Sequence, residues 1–215
     1  MAKDLQANTE RRRVPNAERS ARTREKLILA TIYCLYEFGY HQTTTVLVAK
    51  RAGVSRGAML HQFSNKAEMM LATAQYISTL RGELHRARLE PLETSEEKFM
   101  ELIDILWEAM LSPSGVARIE LMLSSRSDPE LAKEFQAMND HLDAKHKEVI
   151  WSLCEQLGIH ERHRETIEAF VQLYAASMRG LAIDAIRPNS KVGAERAVKL
   201  LKQFQRSMLD ELLAT

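Results

Sequence analysis

Apolar residues recur at every third or fourth position along most of this chain, and no strand-length run alternates apolar with polar. The pattern predicts an all-α protein. Its first stripe, Leu27, Ala30, Thr31, Cys34, Leu35 and Phe38, predicts a helix from about Asn16 that closes with Gly39 as its C′ residue. "HQTTT" then offers threonine N-caps for a short second helix carrying Val46, Val48 and Ala49, which Gly53 ends. Ser55 opens a third helix reaching Gln62 or Phe63, and Ser64 is placed as N-cap of a longer fourth. Farther on, Thr94 and Glu97 form a capping box ahead of Phe99, Ile103, Leu106, Trp107 and Met110. "SPSG" breaks that helix, a short one follows around "VARIELMLSS", and Asp128 with Pro129 starts another that runs to about Leu157. The stripe of this last helix, Leu131, Phe135, Met138, Leu142, Val149 and Leu153, is interrupted at His146. Helices from about Arg162 to Ile186 and Gly193 to Leu213 bring the total to about nine.

Composition agrees with helices: 45% of the 215 residues are apolar, with only 8 Gly and 5 Pro. No apolar run approaches the roughly 20 residues that a bilayer requires. The Arg-rich N-terminus has no apolar segment after it, unlike a secretory signal. Cys34 and Cys154 fall within apolar stripes, as small buried hydrophobes of a reducing compartment do. A cytoplasmic protein is expected.

The net charge of +1 hides an asymmetry that changes the picture. Residues 1–66 carry 12 Lys and Arg against 5 Asp and Glu, a balance of +7; residues 67–215 carry 18 against 24, a balance of −6. A basic first third on an acidic remainder implies that one part meets a polyanion and the other does something else. We therefore divide the chain into a disordered basic arm (1–15), a basic segment expected to meet the polyanion (16–66) and an acidic remainder with a separate job (67–215). The arm, with Arg11, Arg12 and Arg13, is expected to track phosphates or enter a minor groove.

The basic third also contains a helix-turn-helix. Two short helices join through Gly53-Val54-Ser55, with small Ala49 and Ala52 at the crossing. The second of them would offer Ser55, Arg56, Gly57, Met59, Leu60, His61 and Gln62 to a major groove. Thr43, Thr44 and Thr45 would put hydroxyls and free N–H groups at the other helix's N-terminus, a natural phosphate site, with Lys66 doing the same at the start of the fourth helix.

Residues 23–72 resemble the N-terminal domain of the tetracycline-repressor (TetR) family. The resemblance rests on Leu35 where the family has Phe, Gly39-Tyr40, Thr43-Thr44, Val48-Ala49, Ala52-Gly53-Val54-Ser55, Gly57, His61, Phe63 and Lys66. Leu60 stands where the family usually has Tyr, Gln62 where a second His is common, and Thr45 and Leu47 replace Val and a charged residue. The resemblance implies about nine helices, a homodimer, and a C-terminal domain whose small-molecule effector releases double-stranded operator DNA.

Within that frame, the last two helices should form the dimer contact through Ala175, Gly180, Leu201, Phe204 and Met208, making a four-helix bundle. The effector, expected to be largely apolar, should sit among Trp107, Met110, Met122, Met138, Trp151, Tyr174 and Met178, with Arg118, Glu120, His141 and His146 as converging polar groups. Each Met or aromatic taken alone is more often core than pocket, and His146 more often a hydrogen-bonded boundary residue. No Gly-rich phosphate loop or Cys-x-x-Cys occurs, and His160-x-x-His163 lies among charges, so no metal, cofactor or enzymatic activity is expected. The chain reads as a ligand-responsive transcriptional regulator, most simply a repressor on a near-palindromic operator. The alternatives are a sequence-tolerant architectural DNA binder without effector, and a helical small-molecule binder or enzyme with a vestigial helix-turn-helix.

Overall fold

The computed structural model describes residues 16–187 and 190–214. The basic arm with Arg11, Arg12 and Arg13 lies outside the described residues. Among those described there are nine α-helices and no strand: α1 (Asn16–Gln42), α2 (Thr45–Ala52), α3 (Arg56–Gln62), α4 (Lys66–Leu89), α5 (Ser95–Leu111), α6 (Pro113–Ser124), α7 (Pro129–Gln156), α8 (Arg164–Ile186) and α9 (Lys191–Leu213). One 3-10 turn, Glu161–His163, precedes α8.

The caps explain most of the boundaries. Thr44 caps α2 by accepting from the Leu47 N–H, and Ser55 caps α3 by accepting from the Ala58 N–H. Between them Gly53 turns left-handed (φ 65°), its N–H donating to Lys50 and the Val54 N–H donating to Ala49, so the orphan carbonyls of α2 are satisfied inside the turn. The Thr94–Glu97 box and the Asp128–Pro129 start form as the sequence predicts. Three details differ. Asn65, not Ser64, caps α4; Ser64 instead donates its N–H and hydroxyl to Glu68. Ser112 closes α5 and also caps α6, so α6 begins at Pro113, earlier than the apolar pattern indicated. Gly39 breaks the helical path with the positive φ expected of a C′ residue (φ 73°, ψ 176°), but one further turn follows it, so α1 reaches Gln42.

Two apolar clusters hold the helices. The first joins α1, α2, α3 and the start of α4, and is closed by Ala117 and Leu121 of α6 and Leu131 and Phe135 of α7. The second joins α5, the end of α7, α8 and α9 around Phe99, Ile103, Trp151, Tyr174 and Met178. Cys34 and Cys154 are both buried free thiols. Helix α4 contributes to the first cluster and contacts α5, α6 and α7, so it links the helix-turn-helix to the later helices. Phe38 departs from the predicted stripe: it is 42% exposed, at the last position before the Gly39 kink, where the helical path of α1 breaks.

Candidate functional site

Helix α3 presents one face and buries the other. Arg56, Gly57, Leu60 and His61 are exposed. Met59 and, just past the helix, Phe63 are 1% exposed and anchor α3 to the first cluster. Met59 therefore cannot reach DNA as the sequence reading supposed; it sits one position from the exposed face, on the side that faces α1. Helix α1 also grips the C-terminal end of α3. Arg24 lies over the Phe63 ring at 4.3 Å and donates to the Gln62 carbonyl, while the Gln62 side-chain amide donates to Ser20 at 2.7 Å. The arrangement holds Gln62 back against α1 and leaves Arg56, Leu60 and His61 projecting.

The threonines divide likewise. Thr44 is exposed at its capping position and Thr45 half-buried. Thr43 is fully buried, and its hydroxyl donates to the Gly39 carbonyl at 2.7 Å, so it shapes the kink and is not free for a phosphate. Val46, which the sequence reading did not single out, is 62% exposed beside this helix start.

Lys66 needs a larger correction. Its ammonium donates to the Tyr40 carbonyl at 2.7 Å and lies 3.9 Å from the centre of the Tyr40 ring. Burial pushes its pKa down, and the nearby Asp128 carboxylate pulls it part of the way back. The residue is half of a junction and not a free phosphate anchor. Around the Gly39 kink, the Tyr40 N–H donates to Glu120 of α6 at 2.9 Å, and the Tyr40 hydroxyl donates to Asp128 at the start of α7. A Cβ on residue 39 would lie 3.1 Å from the Glu120 carboxylate, so the close approach as well as the positive φ requires glycine. Glu120, assigned to the effector pocket from sequence, is thus a clasp between α6 and the kinked end of α1.

Beyond the clasp, α4, α6 and α7 enclose a cavity of about 330 Å³ lined by Ile77, Ser78, Arg81, Gly82, His85, Arg86, Arg118, Leu142, Asp143, Lys145, His146 and Val149. A neighbouring chamber of about 170 Å³ shares Ile77, Arg81 and Arg118 and adds Leu80, Leu84, Met110 and Ala109. Of the pocket residues expected from sequence, Arg118, His146 and Met110 line these spaces. Tyr174 lies behind them, sharing a 3.0 Å hydrogen bond with His146. The others lie elsewhere. Trp107 borders an open groove between α5 and α9 whose edges carry the Lys202–Asp104 and Arg206–Glu96 ion pairs. Trp151 is buried in the second cluster, its indole N–H donating to Glu155. Met178 is fully buried, Met122 and Met138 pack on the first cluster, and His141 is exposed. The lining is also more cationic than the expected apolar pocket. Burial pushes the Arg118 pKa down to about 10, with Arg81 as a second cause, which leaves the guanidinium charged at neutral pH. Burial likewise lowers His85 to about 4 and His146 to about 3, so both rings are neutral there. Sequence reasoning missed Arg81 and His85; the available signal was their spacing, four and eight residues after Ile77, which puts two polar, nitrogen-bearing side chains on one apolar stripe of α4.

The predicted dimer residues split between core and surface. Leu201 is 7% exposed, and Ala175 and Met208 pack on the second cluster, so these three serve the subunit's own core. Gly180 is exposed, as are Leu173, Ile183, Leu200 and Phe204, at 44–59% for the four large side chains. They form an apolar strip along α8 and α9, which contact each other.

Comparison with known proteins agrees with this geometry. Residues 27–73 match the family model described as bacterial regulatory proteins, tetR family. The HTH-type transcriptional regulator CymR of Pseudomonas putida is 29% identical over 86% of this chain and 90% of its own length. BetI of Serratia proteamaculans is 39% identical, but over only 32% of this chain and 35% of its own. Among solved structures, a transcriptional regulator from Rhodococcus sp. Rha1 superposes with a TM-score of 0.66 at 24% identity, covering 86% of this chain and 95% of that one. A regulator from Saccharomonospora viridis in complex with choline gives 0.66 at 13% identity, covering 88% and 96%. The described residues thus carry the nine-helix fold of these regulators, and residues 27–73 carry the domain of the tetR family of bacterial regulatory proteins.

Proposed function

We propose that this regulator acts as a homodimeric repressor whose small-molecule effector releases it from a near-palindromic operator. The observation that carries the reading is the orientation of α3: Met59 and Phe63 lock one side into the core, while Arg56, Leu60 and His61 stand in solvent on a head whose first 66 residues carry a balance of +7. Arg56 would donate to a guanine edge or a phosphate, Leu60 would meet a thymine methyl, and the exposed Thr44 cap would face a backbone phosphate. Residues 16–66 then serve as the reading head and 67–215 as the effector and dimerisation body.

The dimer is supported by the strip of Leu173, Gly180, Ile183, Leu200 and Phe204. Its large apolar side chains stand in solvent in a single subunit, and α8 and α9 from two copies would cover them as a four-helix bundle. Effector response is supported by the position of α6. Arg118 lines the cavity, and two residues later Glu120 grips the Gly39 kink of α1. A ligand that shifts α6 would therefore move the clasp and change the angle of the head, to the extent that it binds one arrangement better than the other. The choline-bound S. viridis protein is a precedent for a small ligand in this fold, although the arginines here do not suit a cation.

Selection of bound duplexes from a random pool by the purified protein, at about 150 mM salt to suppress binding through phosphates alone, tests the reading. Enrichment of one near-palindrome is expected. A folded protein that enriches nothing would contradict it.

A further inference from the structure

The cavity described above holds more positive charge than its own walls neutralise. Arg81 has no carboxylate within ion-pair distance among the described residues; its pKa is lowered mainly by burial, with Asp143 acting on it from farther away. Arg118 donates one guanidinium nitrogen to Asn139 at 2.6 Å, while its buried Nη1 has no hydrogen-bond partner among the described residues. The same is true of the buried His85 Nε2. Arg179 adds to the positive field on Arg118, and Asp143 is the one carboxylate opposing it there. A buried guanidinium N–H without an acceptor is costly, and an internal fold contact would have removed that cost.

The adjoining chamber has a different character. Leu80, Leu84, Met110, Ala109 and Ile77 give it an apolar wall, and Arg81 and Arg118 stand at the junction of the two spaces, lining both. The Glu108 carboxylate at the chamber's edge is already paired with Arg88.

We infer that the effector is a small organic acid: a monocarboxylate whose anionic group is held by Arg81 and Arg118 and whose apolar body fills the Leu80–Leu84–Met110 chamber. The inference rests on the effector-responsive reading above and specifies its ligand. A planar carboxylate matches the guanidinium fork and offers acceptors to Arg118 Nη1 and to His85. Inorganic phosphate would satisfy the arginines but leave the apolar chamber unfilled. A cation would meet two guanidiniums.

Calorimetric titration of the full-length protein tests this with a panel of monocarboxylates, octanoate and phenylacetate among them. Their neutral amides, tetramethylammonium and inorganic phosphate serve as comparisons. At least one acid is expected to bind, about tenfold or more tightly than its own amide, and Arg118→Gln and Arg81→Gln should each weaken it about tenfold or more. Arg118→Lys, which keeps the charge but loses the fork, should fall between. Arg206→Gln, an exposed ion-paired arginine, should leave binding unchanged. Circular dichroism and retained DNA binding establish that each variant is folded. The inference is overturned if no acid binds, if acids and amides bind alike, if phosphate or tetramethylammonium binds as tightly, or if the folded Arg118 and Arg81 variants bind the acid unchanged. DNA selection is a separate readout: a protein that enriches an operator but binds no acid overturns this inference alone. One that binds an acid but enriches no operator overturns the regulator reading.

Discussion

The clasp between head and body can be tested through Tyr40. Its ring is 6% exposed, its hydroxyl donates to the Asp128 carboxylate, and Lys66 covers its face. Tyr40→Phe keeps the ring and removes one charge-assisted hydrogen bond. Such bonds contribute about 1.5–3 kcal/mol when sheltered. Asp128 is half-buried and keeps the Leu131 N–H as a donor, so the loss should fall near the lower end, about 1–2 kcal/mol. The assay is urea unfolding at fixed protein concentration, because the proposed dimer would make stability concentration-dependent. Asp128→Asn completes a double-mutant cycle, since Asn can still cap α7. The contact predicts a coupling energy of about 1 kcal/mol or more, and additivity within about 0.5 kcal/mol would refute it. If the clasp transmits the ligand signal, Tyr40→Phe should also reduce the factor by which effector weakens operator binding.

Arg56→Ala should cost about 1–3 kcal/mol on the operator and relax preference at one base, measured by competition against single-base variants; equal losses on operator and random DNA would argue against base readout. Lys66→Gln should lower stability by about 1–2 kcal/mol and leave the salt dependence of DNA binding unchanged, because its ammonium is spent on Tyr40. Phe204→Glu together with Leu173→Glu should shift the protein to monomer in analytical ultracentrifugation and weaken operator binding. Stability should fall as pH drops from about 6.5 towards 4. His85 and His146 are held neutral when folded, at about 4 and about 3, and take up protons first when unfolded. The slope should approach about 1.4 kcal/mol per pH unit for each ring, and His146→Gln should flatten it.

Much of the fold was legible because it is written locally. The threonine, serine and aspartate caps, the Gly53 turn and the Thr94 box each involve residues within a few positions of one another. The site was legible only where exposure follows from local geometry, as for Arg56 and Leu60. Met59 and Lys66 were misread because their roles depend on neighbours far along the chain: α1 for Met59, and Tyr40 and Asp128 for Lys66. Glu120 looked like a pocket residue for the same reason, since its partner lies 80 residues away. The cavity was hardest to read. Met and aromatic residues drew attention as pocket material, yet most of them fill the two clusters, whereas the cavity is marked by Arg81 and His85 on a helix face that looked only amphipathic.

The central claim is that two copies of this chain read two half-sites through α3. It is tested most directly by measuring stoichiometry and affinity on an enriched duplex, and on the same duplex with one half-site scrambled, at about 150 mM salt. The account predicts two subunits per intact site and a loss of about a hundredfold or more when one half is scrambled. One subunit per site, or equal affinity for both duplexes, would contradict it.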